Sequence, residues 1–236
     1  MLIAKAMPNS ISAEAYRMLR TKIKYSSIDK QVKTIVVTAA EAAEGKSTVA
    51  GNLAVTLSQS GSRVVLIDCD LRRPSLHRKF NVSNVKGLTD YLIEKFELKD
   101  VVNIVGNNLH LITAGGIPPN PAEVIGSKRL ESFIGMLGQS YDYIIIDTPP
   151  VMAVTDAQIL AAKSDATLLV VRNSKTKGKS ICRAYEELTK VGANVIGAVL
   201  NAIDNGRKDS YYYYYSEETK KKKKFGFRFR NKKRRS

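Results

Sequence analysis

Runs of branched apolar residues recur along the chain: TIVVTAA (34–40), RVVLIDCD (63–70), LHLITAG (109–115), YDYIIIDTPP (141–150), ATLLVVRN (166–173) and VIGAVLNAI (195–203). Each is nearly continuous rather than alternating, which is the pattern of strands covered on both faces. Between several of them the apolar spacing lengthens to that of helices, over 47–60, 121–137 and 177–191. Strand alternating with helix predicts an α/β fold with a doubly wound, mostly parallel sheet. Ahead of the first strand, SAEAYRMLRTKIKYS is amphipathic and predicts a separate helix opening at Ser12 as its N-cap. After Asn205 the periodicity stops, and the Tyr-rich, basic C-terminal stretch reads as a disordered or loosely attached tail. The plan is an N-terminal helical segment (1–30), one α/β domain (31–205) and a tail (206–236).

Composition changes this picture in two respects. The net charge of +16 resembles a nucleic-acid binder's, but residues 220–236 carry eleven Lys and Arg and no acid, leaving +5 for residues 1–219. The body is only mildly basic, and specific nucleic-acid recognition is not expected of it. Two cysteines, Cys69 and Cys182, with no C-x-x-C spacing and no signal peptide, fit a reducing compartment. No apolar run approaches the roughly 20 residues that cross a bilayer. A cytoplasmic protein is expected, reaching the membrane only peripherally or through a partner.

The candidate chemistry lies at strand ends. EGKST (Glu44, Gly45, Lys46, Ser47, Thr48) follows the first buried strand and opens a helix, where backbone N–H groups and the helix N-terminus meet an anion. Lys46 would reach the outer phosphates of a nucleotide and the Ser47 hydroxyl would hold Mg2+. The full G-x-x-x-x-G-K-[ST] pattern has glycine where Ala40 stands here. VVLIDCDLRRP and IIIDTPP put Asp68, Asp70 and Asp147 at the carboxyl edge of a parallel sheet, where ligands of such folds bind. A strand-end aspartate can serve Mg2+ opposite a phosphate loop, and a neighbour can orient or deprotonate the attacking group. Taken alone, such an acid is as readily a helix cap.

Taken together, EGKST, LIDCDLRRP and IIIDTPPVMAVTDA resemble the bacterial tyrosine kinases (BY-kinases), with their Walker A, D-x-D-x-R Walker A′ and Walker B motifs. The likeness continues through GGIPPNPAEVI, VVRNSKT and GAVLN and spans roughly residues 10–215. The resemblance implies a P-loop NTPase-like kinase domain that uses ATP and Mg2+. Lys46, Ser47 and Thr48 would bind phosphate and metal, Asp68 and Asp70 would serve Mg2+ and the incoming tyrosine hydroxyl, and Arg72 would complete the motif. Asp147 would hold Mg2+ through water, and Asn201 would recognise adenine, although Asn201 also reads as a turn residue.

EAYRMLR matches the family's E-x-x-R-x-x-R motif at Glu14, Arg17 and Arg20, which implies a ring-shaped homo-oligomer interface, an octamer being one candidate size. On a helix the three lie along one face, and an exposed, self-paired face is the plainer reading. In the phosphate loop this chain departs from the family: Ala42 and Ala43 stand where Pro-Gly is usual. If Ala43 must take positive φ, its Cβ costs about 1 kcal/mol or more, so retained but weaker nucleotide binding is expected.

By the same resemblance Tyr211, Tyr212, Tyr213, Tyr214 and Tyr215 are a cluster phosphorylated in trans by neighbouring subunits. The resemblance also implies a transmembrane polysaccharide co-polymerase-type adaptor, an opposing tyrosine phosphatase, and control of capsular or exopolysaccharide synthesis and export. Five phosphotyrosines would add about −8 to −10 charges against the adjacent +11, so the tail could act as an electrostatic switch at an anionic membrane surface. Non-specific nucleic-acid binding and a merely solvated end are the other readings of the tail. Two other classes stand beside the kinase. One is a ParA/MinD-type ATPase switch, whose signature lysine falls where this chain has Glu41; the other is a catalytically impaired scaffold.

Overall fold

The structure is a computed structural model and describes residues 2–26 and 31–203. In chain order these form α1 (Ile3–Ala6), α2 (Ile11–Lys24), β1 (Thr34–Ala39), α3 (Lys46–Gln59), β2 (Val64–Asp68), α4 (Leu76–Phe80), α5 (Leu88–Leu92), α6 (Leu98–Val101), β3 (Val102–Gly106), β4 (Leu109–Ile112), α7 (Pro121–Gly126), α8 (Lys128–Ser140), β5 (Tyr143–Asp147), α9 (Asp156–Ala162), β6 (Ala166–Arg172), α10 (Gly178–Lys190) and β7 (Val195–Asn201). Among the described residues the strands make one sheet in the order β3-β4-β2-β5-β1-β6-β7. All pairings are parallel except β3 with β4. The central strands β1, β2 and β5 are almost wholly buried, as their unbroken apolar runs require. Helices cover both faces, and the side chains of the sheet divide into two apolar cores.

The central helix α3 shows why the N-terminus matters to the site. Its sequence KSTVAGNLAVTLSQ is apolar or small nearly all round, the mark of a helix covered on every side. The sheet covers one side, and α1 and α2 cover the other through Leu2, Ala4, Tyr16, Leu19 and Ile23. Buried Asn52 joins the layers: its Oδ1 accepts from Ala4 N at 2.9 Å, and its Nδ2 donates to Thr48 O at 2.8 Å. The helix carrying the phosphate loop is thereby clamped along its length.

Several expectations shift in detail. The N-cap of α2 is Ser10, whose hydroxyl accepts from Ala13 N; Ser12 lies inside the helix. The pattern over 121–137 splits at Ser127, which ends α7 and caps α8 by accepting from Leu130 N. The apolar run 141–150 is a strand only to Asp147, because Pro149 and Pro150 cannot donate to a ladder. The antiparallel edge strand β3 carries no continuous apolar run, and Ile104 on it is 78% exposed. The tyrosine cluster and the polybasic stretch lie outside the described residues.

Candidate active site

The loop joining β1 to α3 bends back on itself through two left-handed residues, Ala43 (φ +62°) and Gly45 (φ +98°). Ala40 is not left-handed and is buried, so the missing first glycine costs no backbone strain. At Gly45 the absence of a side chain is required, since a Cβ would collide with the Asn201 amide. The loop's shape is held from the ends of β6 and β7. Arg172 Nη1 donates to Ala43 O at 2.9 Å, and Asn201 Nδ2 donates to Glu44 O at 2.9 Å. The Glu44 carboxylate is buried, accepts from Glu41 N at 3.1 Å, and accepts from the Thr176 hydroxyl. Glu44 and Asn201 thus shape the loop by contacts of their own, and Arg172 and Thr176, which the motif reading passed over, do as much. VVRNSKT, which contains both, was the available signal.

Three carboxylates converge below this loop. β2 and β5 are adjacent, and their register puts Asp68 directly opposite Asp147, while β1 pairs Val37 with Asp147 from the other side. Asp147 therefore stands between the phosphate loop and the Asp68–Arg72 segment. Asp68 spends its oxygens on backbone: Oδ1 accepts from Asp70 N at 3.2 Å, and Oδ2 accepts from Ser75 N and Leu76 N, each at 3.0 Å. It is a cap for α4 as well as a site carboxylate. Asp70 Oδ2 accepts from Lys46 Nζ at 2.8 Å, a largely buried ion pair, and its Oδ1 accepts from Arg73 N at 3.0 Å. Neither oxygen of Asp147 has a hydrogen-bond partner, although Ser47 lies near enough to favour its charged form.

The electrostatics follow from this crowding. Burial, then the charge of Asp147, pushes the Asp68 carboxyl up to about 7, against the pull of the Leu76 and Ser75 amides. Burial likewise pushes Asp147 up to about 6, with Lys46 and Ser47 opposing. For Lys46 burial favours the neutral amine, but Asp147, Asp70 and Asp68 together outweigh it and raise its pKa. The ammonium is therefore firmly charged, and the two facing carboxylates lack enough positive charge between them. A buried, unpartnered carboxylate beside a serine hydroxyl suits Mg2+, which is commonly held by one or two carboxylates together with substrate phosphates. The residues present fit that metal.

Arg72 turns away from the phosphate loop and forks onto Asp156, Nε to Oδ2 at 3.2 Å and Nη2 to Oδ1 at 3.3 Å. Asp156 is fully buried at the start of α9, so the pair ties the loop after β2 to the segment after β5. Lys79, on α4, reaches the phosphate loop from the other side, its Nζ donating to Thr48 Oγ1 at 2.9 Å. Neither Asp156 nor Lys79 was assigned a role from sequence. The structure thus brings Lys46, Ser47, Thr48, Asp68, Asp70 and Asp147 together. Glu14, Arg17 and Arg20 lie apart on α2, where Arg17 pairs with Glu14 (2.5 Å) and Arg20 donates to Thr56 O at 3.2 Å.

A family model described as an AAA domain matches residues 32–195. The tyrosine-protein kinase YwqD of Bacillus subtilis (strain 168) is 42% identical over 202 residues, covering 85% of each chain. CapB of Staphylococcus aureus is 38% identical over 86% of this chain and 90% of its own. Among solved structures, the kinase domain of Escherichia coli tyrosine kinase ETK superposes with a TM-score of 0.84 at 33% identity, covering 88% of this chain and 82% of that one.

Proposed function

The chain belongs to the bacterial tyrosine-protein kinases, and from that premise we propose that it transfers the γ-phosphoryl group of Mg-ATP to tyrosine hydroxyls, including Tyr211 to Tyr215 of a neighbouring copy. The observation that carries the proposal is the buried Lys46–Asp70 pair beside the unpartnered Asp147. A nucleotide's outer phosphates compete with Asp70 for the Lys46 ammonium. Lys46 exchanging one anion for the other would free Asp70 Oδ2, while Oδ1 stays bonded to Arg73 N. In the transfer the tyrosine oxygen bonds to the γ-phosphorus, the bond to the β-bridging oxygen breaks, ADP leaves, and the phenolic proton passes to Asp70. Mg2+ held at Asp147 and Ser47 would supply charge neutralisation on the phosphates. Asp68 supports the step by fixing the loop that carries Asp70, and Arg72 by tying that loop to Asp156. Asn201 would stand near the adenine end of the nucleotide while holding Glu44.

In its cellular setting the kinase would control capsular or exopolysaccharide synthesis. It would work as a ring of subunits contacting through Glu14, Arg17 and Arg20, activated by a transmembrane adaptor and reversed by a tyrosine phosphatase. Through that adaptor it would sit at the inner face of the membrane; among the described residues no helix is long and apolar enough to cross one. One observation favours a second reading: Ala43 holds a left-handed conformation at the phosphate loop, and a loop so strained suits a scaffold with little turnover. Intact mass after incubation with Mg-ATP, with and without the adaptor's cytoplasmic segment, separates the two. Multiple phosphate additions, lost in Lys46→Met and when Tyr211 to Tyr215 are changed to Phe, are expected. Bound nucleotide with no additions under any condition would leave the scaffold.

A further inference from the structure

The short helix α4 is held more firmly than its five residues require. Asp68 accepts from two amides at its start, Leu76 is fully buried, and Phe80 at its end packs beside Gly51 of α3. Between these anchors Lys79 extends over the first turn of α3 and donates to Thr48 Oγ1 at 2.9 Å. Half-buried there, its ammonium is discouraged first by burial, favoured by Asp147, and discouraged again by Lys46 and Arg78. It therefore lies in the same field as the phosphate lysine and the metal carboxylate.

Holding a long, strongly hydrated side chain in this position costs rotamer freedom and hydration, and a single neutral hydroxyl is a weak return. A phosphate oxygen is a much stronger acceptor for an ammonium. The loop's backbone N–H groups cradle the inner phosphates of a nucleotide, while Lys46 serves the outer ones. Thr48 lies in the first turn of α3, directly after Lys46 and Ser47 of the phosphate loop.

We propose that Lys79 is a second phosphate-binding cation of the nucleotide site, contacting the α- and β-phosphates from the α4 side while Lys46 takes the outer phosphates. This rests on the nucleotide site described above and adds to it a residue outside the loop and strand-end motifs. Asp68 thereby acquires a further role, because in capping α4 it aims Lys79.

The test is titration calorimetry of the full chain with Mg-ADP and with Mg-ATP, comparing wild type, Lys79→Met and Lys79→Arg, together with the melting temperature of each protein without nucleotide. A charge-assisted contact predicts that Lys79→Met raises Kd roughly tenfold or more. The factor should be the same for ADP and ATP, because the inner phosphates are common to both. Lys79→Arg should recover most of the affinity, and all three proteins should melt within a few degrees of one another. Unchanged Kd values in Lys79→Met would overturn the proposal. So would a loss confined to ATP, or a loss that Arg does not recover. If Lys79→Met proves unfolded, Lys79→Arg and Lys79→Gln decide by the same comparison: equal affinities would refute a role for the charge. A wild type that binds neither nucleotide refutes the site itself, whereas normal wild-type binding with an indifferent Lys79 refutes this inference alone.

Discussion

Replacing Asp147 by Asn should abolish phosphotransfer and, without metal or nucleotide, make the protein more stable at pH 8. The two buried carboxylates facing each other across β2 and β5 are raised from 3.8 to about 7 for Asp68 and about 6 for Asp147. At 1.36 kcal/mol per pH unit these displacements correspond to about 4 and about 3 kcal/mol, which are not additive because the Asp147 charge is itself part of what raises Asp68. Between about pH 4 and pH 7 the folded chain holds protons that the unfolded chain has already lost. Stability is therefore fully present below about pH 4 and declines as pH rises through 6 to 7. The Asp147→Asn change removes one charge and relieves Asp68, but forfeits the attraction of Lys46 for Asp147. The net expectation is a gain of about 2 kcal/mol at pH 8 that vanishes near pH 4, or roughly 4–8 °C in melting temperature for a chain of this size. Urea unfolding of both proteins in EDTA at pH 4.5, 6 and 8 measures it. Parallel pH profiles, or a variant less stable than wild type at pH 8, would refute the reasoning. A companion measurement is the stabilisation by Mg-ADP, which wild type should show and Asp147→Asn should largely lose.

Three further outcomes are expected. Ala43→Gly relieves a left-handed alanine that the chain carries without nucleotide, so the folded state should gain about 1 kcal/mol in urea unfolding; an unchanged or lowered midpoint would refute the strain argument. Arg72→Ala strands the fully buried Asp156, and because Arg72 itself is 39% exposed the loss should be about 2 kcal/mol rather than the larger cost of breaking a fully buried pair; Asp156→Asn in the same chain should recover much of it in urea unfolding. In sedimentation with anionic vesicles, the unphosphorylated protein should bind and the tyrosine-phosphorylated protein should not, since the phosphates nearly cancel the eleven cations of 220–236; equal binding would rule out the electrostatic switch.

How much of this was legible in the sequence depended on whether a residue's partner was near it in the chain. The unbroken apolar runs at 34–40 and 143–147 announce buried parallel strands because nothing but two-sided burial makes them. EGKST and the aspartates after two such runs converge in any parallel sheet, since strand ends share an edge. The length of Arg72's reach to Asp156, eighty-four positions away, has no local signature, nor has the contact between Lys79 and Thr48. Edge strand β3 escaped notice because one exposed face and an antiparallel partner leave no continuous run to see. The N-terminal segment read as separate because its apolar residues are too few for a core of its own. They make sense only against α3, a helix apolar on every side and therefore in need of a second cover.

Asn201 shows how a residue can be found by pattern while its work is decided by contact. The resemblance assigns it to adenine, yet its Nδ2 donates to Glu44 O and its amide fills the space that only a glycine at 45 leaves open. Asn201→Ala removes that bond and opens the gap, and a neutral hydrogen bond of this kind is worth about 1 kcal/mol. If holding the loop is its main work, the loop loses definition for every phosphate ligand, and Mg-ATP and Mg-tripolyphosphate should weaken by the same factor, about fivefold. If adenine recognition dominates, only ATP should suffer, because tripolyphosphate has no base to lose. Calorimetry of both ligands with both proteins separates the roles, and the bond to Glu44 leads us to expect equal factors. Undiminished tripolyphosphate binding in Asn201→Ala would show that Arg172 and Thr176 hold the loop without it.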